Sequence, residues 1–226
     1  DPAGQEGNTM WSGSATANWR GVEEFYGVFD GQGHTISNLQ VEIYYSSDVF
    51  MPDHPYAGAP RYDGNAGWGF FRHLGDQNTG RKGEVRNLVM RDSLINYREM
   101  YTVLNGENRY IGGIAQYFEC GLIKDCLVDI DIRTITNYAG MVAGSVGGTQ
   151  DLEGARYVGS ARIENTLAMG SIESTLPAGD TSVRREWEPY ACGAFIGKTE
   201  NSGSEFVNCF AMGAPGRDIN FSNRTD

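Results

Sequence analysis

The side chains that could do chemistry in this chain are concentrated in three long segments without periodicity, at residues 44–67, 96–110 and 175–190. A glycosidase needs two carboxylates roughly 5–9.5 Å apart across the bond it cleaves. A polysaccharide lyase needs a base and a partner that neutralises charge. The candidate carboxylates in these segments include Asp48, Asp53, Asp63, Glu99 and Glu186, and the candidate bases and neutralising groups are His54, Arg61 and Arg98. No spacing singles out a pair, so the sequence predicts no catalytic residue.

Two further polar residues lie in the phrase FYGVFDGQGHTI, which covers residues 25–36. Asp30 stands before a glycine, which is typical of a turn in which the carboxylate accepts a backbone N–H. His34 follows a glycine, and we expect it to pack and bond at a turn rather than to act as a base. No Cys/His cluster with metal-ligand spacing is visible, and the acidic pair Asp151 and Glu153 lacks the repeats of calcium-binding β-rolls. The sequence therefore predicts no metal and no cofactor.

Aromatic side chains give a clearer signal for binding. Nine of the 12 tyrosines lie in or beside the three segments: Tyr44, Tyr45, Tyr56, Tyr62, Tyr97, Tyr101, Tyr110, Tyr138 and Tyr190. Rings with a polar edge suit sugar faces and protein hot spots. The predicted ligand contacts are Tyr56, Tyr62, Trp68, Tyr101 and Trp187. The alternative is that these rings cover the flank of the fold beneath the loops.

A six-residue pattern shows which elements carry these segments. It reads apolar, any, Asn or Asp, small or apolar, any, apolar, and it occurs at 36–41, 85–90, 123–128, 163–168 and 206–211. A second, glycine-flanked apolar strand keeps pace with it from Trp68 onward, and a third apolar piece follows it. Three short strands in a fixed order at a repeating spacing predict stacked repeats. We therefore predict an all-β chain, a right-handed parallel β-helix (solenoid) of about five coils.

The pattern also predicts which side chains stack. We expect the first positions, Ile36, Val85, Ile123, Ile163 and Phe206, to form one inward row. Because alternate strand residues share a face, the Asn or Asp at the third position is expected to face inward and to bond its equivalent in the next coil. The alternative is that these residues mark turns.

The phrase at 25–36 and the alternation of Gly-Gly-apolar strands with Ile-x-Asn-Cys-like strands resemble bacterial surface proteins with GLUG repeats. The segments 112–128 and 192–213 match that alternation well, and the resemblance covers roughly 19–213. It implies a secreted or cell-surface solenoid, adhesin-like or an accessory part of a larger surface enzyme. It transfers no catalytic residue.

Length and boundaries favour one domain over residues 1–226. We assign 1–24 to an N-terminal cap region, 25–213 to the coils and 214–226 to a C-terminal tail, and expect a module of a longer protein. The insertions at 44–67, 96–110 and 175–190 occupy the same position in the repeat. Equivalent loops of a parallel stack emerge on one side, so these insertions should form one continuous face.

Charge and cysteines limit the partners. With 18 basic and 29 acidic side chains the net charge is −11, which disfavours nucleic acid and anionic membrane surfaces. No stretch approaches the ~20 apolar residues of a membrane span. Cys126 and Cys209 share a repeat position two units apart, about 10 Å at the usual strand spacing, which is beyond disulfide reach. We expect buried thiols there, whereas Cys120 lies nearer a loop and is the better candidate for exposure.

Three functions remain open. The first is an extracellular binding module that recognises a glycan or a host protein through the aromatic loop face. The second is a carbohydrate-active enzyme, a polysaccharide lyase or glycosidase, on the same scaffold. The third is a structural spacer, which the long aromatic insertions disfavour because a spacer needs no such loops. The oligomeric state does not follow from the sequence.

Overall fold

Short apolar stretches separated by glycines and Asn or Asp form the strands of this protein. The computed structural model describes residues 21–45, 67–99, 110–134, 138–147, 160–174, 191–199 and 204–212. Within these ranges every regular element is a β-strand. They contain no helix that is long and apolar enough to cross a membrane.

The strands form four sheets, which we label A to D. Sheet A contains β1 (Val22–Phe25), β6 (Phe71–Leu74), β10 (Ala115–Phe118), β14 (Ala143–Val146) and β19 (Ile196–Thr199). Sheet B contains β2 (Val28–Asp30), β7 (Gly83–Arg86), β11 (Gly121–Lys124), β15 (Ala161–Glu164) and β20 (Glu205–Val207). Sheet C contains β3 (Thr35–Ser37), β4 (Gln40–Tyr45), β8 (Val89–Glu99), β12 (Leu127–Thr134), β16 (Leu167–Met169), β17 (Ile172–Ser174) and β21 (Phe210–Met212). Sheet D contains β5 (Gly67–Trp68), β9 (Tyr110–Gly112), β13 (Tyr138–Gly140) and β18 (Ala191–Gly193).

The order of strands within each sheet follows the sequence repeat. The chain passes through D, A, B and C, then returns to D and pairs each strand with its equivalent in the preceding repeat. All of these strand pairs are parallel, as in Ala115 beside Phe71 and Ala143 in sheet A. The predictions of an all-β chain and of parallel pairing between repeats are confirmed. We call each repeat a level, numbered one to five along the chain.

The inward row of sheet B is confirmed at four of its five positions. Ile123 pairs with Val85 on one side and Ile163 on the other, and all three are fully buried. Phe206 pairs with Ile163, but it is 42% exposed because it lies at the end of the sheet.

The assignment of Ile36 to this row is wrong. Phe29 occupies the first position, beside Val85, whereas Ile36 pairs with Met90 in sheet C. The six-residue pattern marks two different corners in the first two levels. The copy at 85–90 lies at the corner between sheets B and C, whereas the copy at 36–41 lies at a corner within sheet C. Asn38 there matches Asp92, since its N–H bonds the carbonyl of Arg91, and both residues have positive φ.

The repeated Asn or Asp residues form corners. Asn87, Asp125, Asn165 and Asn208 all have φ between 47° and 53°. In this left-handed region Asn and Asp are tolerated better than most residues. The prediction that they face inward is wrong, because the corner ends the strand alternation and turns them toward the outside. The turn alternative is confirmed, and the side chains still bond along the stack. The Nδ2 of Asn165 donates to Asp125 at 3.1 Å and that of Asn208 donates to Asn165 at 3.2 Å.

At three of these four corners the next residue points into the fold and donates to a carbonyl, whereas Leu88, which follows Asn87, has no donor and is buried in the core. Thr166 donates from its hydroxyl to the carbonyl of Glu164 at 2.9 Å, and the Cys126 thiol donates to Lys124 at 3.1 Å. Ser93 makes the same bond to Arg91 at the sheet C corner. A small side chain with a donor therefore completes the turn.

Glycines let sheet D lie directly against sheet A. A Cβ added at Gly112 would lie 2.5 Å from the backbone nitrogen of Gly144, and one at Gly140 would lie 2.5 Å from that of Gly197. No side chain fits at such a distance, which explains the Gly-flanked strands in the sequence.

The first strand begins earlier than predicted. β1 starts at Val22, inside the segment assigned to the N-terminal cap. Val22 pairs with Phe71 and Phe25 with Leu74, so these residues belong to level one of sheet A. Residues 1–20 and 213–226 lie outside the described residues.

Candidate functional site

The strands that flank the three insertions stack in register. Tyr45, the last residue of β4, pairs with Glu99, the last residue of β8, so the first two insertions leave from adjacent positions. Thr134 and Ser174 end β12 and β17 and pair in the same way. On the return side, the first residues of the sheet D strands pair in turn: Gly67 with Tyr110, Tyr110 with Tyr138, and Tyr138 with Ala191. Every connection from sheet C to sheet D thus leaves and re-enters along one edge.

A row of aromatic rings lies where these connections return. Tyr110 and Tyr138 stack with ring centroids 4.9 Å apart and an interplanar angle of 14°. Tyr117 of sheet A packs against Tyr110 at 5.0 Å, and His73 stacks on Tyr117 at 4.8 Å. The Nζ of Lys198 lies 5.0 Å from the centroid of the Tyr138 ring. Tyr110 is buried and Tyr138 is half-buried, so Tyr138 presents the accessible part of this row.

His73 in this row is bonded to a carboxylate. Its Nδ1 lies 2.8 Å from Oε1 of Glu119, whose Oε2 accepts the N–H of Gln77 at 3.3 Å. When Nδ1 carries the proton, the carboxylate fixes the tautomer and Nε2 becomes the basic nitrogen. The side chains of His73 and Glu119 are 27% and 15% exposed, so solvent reaches the pair. This arrangement can hold a base in one orientation.

Asp30 and His34 both lie at turns, as expected. Asp30 Oδ1 accepts the side-chain amide of Asn87 and the N–H of Gln32, each at 2.9 Å, and Oδ2 accepts Nε of Arg86 at 3.0 Å. These bonds, that from Asn87 first, hold the pKa of Asp30 below its ordinary value. The backbone N–H of His34 donates to the carbonyl of Gly31 at 2.7 Å, as expected of a turn, but its side chain is exposed, so the expected packing is wrong.

Of the five predicted ligand contacts, the structure describes Trp68 alone. Its ring has no exposed surface and belongs to the hydrophobic core, so Trp68 cannot stack on a ligand there and is corrected to a core residue. Outside the described residues lie Tyr56, Tyr62, Tyr101 and Trp187, as do Asp48, Asp53, His54, Arg61, Asp63, Asp151, Glu153 and Glu186. The backbones of Arg98 and Glu99 are described as part of β8, and their side chains are not.

The sequence did not single out the His73–Glu119 pair, and it named Tyr110 and Tyr138 without their contacts. A signal existed for the two tyrosines, since both precede a Gly-flanked strand at the same repeat position. None existed for Tyr117, because it reaches Tyr110 only through the close packing of sheets A and D.

The thiols are mostly structural. Cys120, Cys126 and Cys209 are free, and the first two are buried. Cys209 is expected to be buried as well, but it is only half-buried. Burial raises the pKa of the Cys126 thiol to about 11, and it also raises the pKa values of Cys120 and Cys209. The expected exposure of Cys120 is wrong, because its Sγ donates to the carbonyl of Arg81 at 3.0 Å inside the turn after β6. Among the described residues, no group of three or more His, Cys, Asp or Glu side chains could hold a metal ion.

No protein-family model, curated protein or solved structure matches this chain. The likeness to GLUG-repeat surface proteins consequently depends on the sequence phrases alone.

Proposed function

We propose that this chain is a right-handed parallel β-helix of about five coils that serves as an adhesin-like binding module, secreted or on a bacterial surface. Its ligand is a glycan or an extracellular protein, bound at the edge where sheet C connects to sheet D. The observation that carries the proposal is the register of the flanking strands, because it brings the three insertions to one edge.

The lengths of the connections shape this edge. Levels one, two and four carry connections of many residues, at 46–66, 100–109 and 175–190. Level three has only residues 135–137 between β12 and β13. Strands of neighbouring levels are about 4.8 Å apart, so the long connections of levels two and four start about 10 Å from each other. Level three, with its short connection, therefore lies between the starting points of two long connections, and we infer that the ligand binds there.

Tyr138 lies at level three, between the starting points of these two long connections. It is the first residue after the short connection, it is half-buried, and the stack with Tyr110 holds its ring in place. A rigid aromatic ring with a polar edge is a good platform for a sugar face or a hot-spot side chain. Of the predicted contacts, Tyr101 and Trp187 lie in these two connections, and Tyr56 and Tyr62 lie in the connection of level one.

A glycan array, followed by titration of the best glycan or of a candidate extracellular protein, tests the proposal. Tyr138→Ala, Tyr62→Ala and Trp187→Ala should each weaken binding about tenfold or more, as hot-spot truncations do, with the melting temperature little changed for the two loop variants. Tyr26→Ala is the matched control, because Tyr26 lies between β1 and β2, away from this edge. Equal loss for Tyr26→Ala, or full binding by Tyr62→Ala and Trp187→Ala with lowered stability, would assign the rings to the scaffold.

A carbohydrate-active enzyme is the second candidate, and the His73–Glu119 pair favours it. A base oriented by a carboxylate is one half of a lyase mechanism. Incubation with a panel of acidic and neutral polysaccharides, read by absorbance of unsaturated products and by reducing ends, decides the question. Cleavage that His73→Gln removes and that Glu119→Gln weakens would support the enzyme. Cleavage that survives His73→Gln, or no cleavage, would reject this pair.

A further inference from the structure

The exposed apolar side chains of the described residues are confined to the two ends of the stack. On level one they are Val22 and Val28, and on level five they are Phe206, Phe210 and Met212. Phe210 is 66% exposed and Val28 is 56% exposed. No exposed large apolar side chain occurs on levels two to four of the described ranges. Apolar surface concentrated in this way marks contact surfaces rather than random exposure.

The same ends carry the edges of the sheets. In the described part of the chain, β1, β2 and β3 each pair on one side only, and so do β19, β20 and β21. Each of these edges offers a row of backbone N–H and C=O groups that a parallel strand can pair with.

The register of the sheets predicts how the two ends would fit. Continuing sheet A by one strand places Val22 of a following copy beside Ile196, since both belong to the column that runs through Phe71, Ala115 and Ala143. In sheet B, Phe29 would lie beside Phe206, because both belong to the column of Val85, Ile123 and Ile163. Apolar residues thus meet apolar residues in the inward columns.

Charge is complementary at the same junction. Glu24 and Lys198 belong to one column of sheet A, which runs through His73, Tyr117 and Ser145. A following copy would therefore place the carboxylate of Glu24 beside the ammonium of Lys198. Opposite charges directly across a strand pair stabilise it, whereas like charges destabilise it.

We propose that level five of one copy pairs in parallel with level one of a second copy, so that the protein associates head to tail. The contact is heterologous, and each copy keeps one free end, so the association is open-ended and forms chains rather than a closed dimer. The two buried ends extend the hydrophobic core and the ladders of sheets A, B and C across the junction.

Blocking one end at a time tests this contact. Val28→Asp blocks level one and Phe210→Asp blocks level five, and both side chains are exposed within one copy, so folding should tolerate them. Analytical ultracentrifugation of the wild-type chain should show oligomers that grow with concentration. Each variant alone should associate about tenfold or more weakly. The register sets residue 28 beside Glu205, where a second carboxylate repels the first, and it sets residue 210 beside Thr35, where the contact strips water from the new charge. An equimolar mixture of the two should stop at a one-to-one dimer, because one unblocked end remains on each.

Leu122→Asp is the matched control, because it introduces the same charge on level three, between Glu84 and Arg162. It should associate as the wild type does.

If either end variant fails to fold, Lys198→Glu and Glu24→Lys replace the pair. Each of these alone faces a like charge at the junction, and their mixture restores attraction. A wild-type chain that stays monomeric up to about 1 mM, where even a weak contact of about −4 kcal/mol would be half occupied, overturns the proposal. So does a dimer of Val28→Asp alone as tight as that of the wild type, or an equal loss with Leu122→Asp.

Discussion

Replacing Ile123 with Ala tests the stacked row of sheet B most directly. Ile123 is fully buried and has Val85 and Ile163 as neighbours in the levels on either side. The change removes three carbons, worth about 2.4 kcal/mol at about 0.8 kcal/mol for each buried group. Neighbours on both sides belong to paired strands and cannot close the cavity, so its cost is added. We expect a loss of about 2–5 kcal/mol in the free energy of unfolding.

Phe206→Ala is the matched control, because it truncates the same row at its end. Phe206 has one neighbour, Ile163, and much of its surface is already in solvent. A half-exposed ring contributes about half of the ~1.5–3 kcal/mol of a fully buried one, so we expect about 1 kcal/mol. Urea unfolding followed by circular dichroism measures both, with the m-value checked because stacked repeats can lose cooperativity. A loss below about 0.5 kcal/mol for Ile123→Ala, or a larger loss for Phe206→Ala, would refute the row.

The corrected first position of this row is testable in the same experiment. A double-mutant cycle of Val85→Ala with Phe29→Ala should show a coupling of about 0.5 kcal/mol or more, since these residues pair across adjacent strands. The cycle with Ile36→Ala should show less, because Ile36 pairs with Met90 in sheet C. The reverse order would restore the register expected from the six-residue pattern.

Three further predictions concern thiols, corners and pH. In native protein at pH 8, iodoacetamide should modify Cys209 before Cys126, because Cys126 is buried and its pKa is about 11; peptide mass mapping that shows equal labelling contradicts this. Asn165→Ala should be about 1 kcal/mol less stable than Asn165→Gly, since both lose the side-chain bonds and only Ala strains a φ of 47°. The pKa of Asp30 is lowered in the folded state, so its contribution to stability is present above its unfolded value of 3.8 and is lost as pH falls through the lower folded value. Asp30→Asn should therefore be less stable than the wild type at pH 7 and equal to it at strongly acidic pH, and a constant difference across urea titrations at both pH values would contradict the assignment.

The sequence predicted levels two to five well because one spacing governs them. Val85, Ile123, Ile163 and Phe206 each stand two residues before a corner Asn or Asp, so the distance from corner to row is constant. Level one misled the alignment because its sheet B corner has Gly31 in place of Asn, while the recognisable Asn38 lies at the next corner. A pattern that occurs at two corners cannot by itself identify which one it marks.

The prediction that the corner side chains face inward was wrong for a different reason. Alternation of faces holds only while φ stays in the extended region. At Asn87 and Asn165 φ lies in the left-handed region, so the alternation of side chains between the two faces is interrupted there and begins anew in the next strand. The residue type at this repeat position already favoured a corner, because Asn and Asp are more frequent at turns than in buried cores.

The aromatic row at the candidate site shows what periodicity cannot provide. Tyr110 and Tyr117 are seven residues apart in one repeat, and they meet because glycines let two sheets approach closely. His73 and Glu119 come from successive levels and meet only after the chain has completed a full repeat. Contacts of this kind require the register between levels, which the loop lengths obscure in the sequence.

The outer face of sheet B supports placing recognition elsewhere, at the edge between sheets C and D. Its charges neutralise one another: Arg86 bonds Asp30 at 3.0 Å and Glu84 at 3.3 Å, and Arg162 bonds Glu164 at 3.3 Å. A charged ligand that bound one of these side chains would have to replace its present ion pair. Because exposed ion pairs contribute little free energy, the new pair would gain little over the one that it replaced. The connections from sheet C to sheet D instead combine aromatic side chains with a short level three between longer neighbours. Ligand sites combine depth, rings and convergent polar groups, and we propose the C-to-D edge as the site because the register of the flanking strands starts all three long connections there.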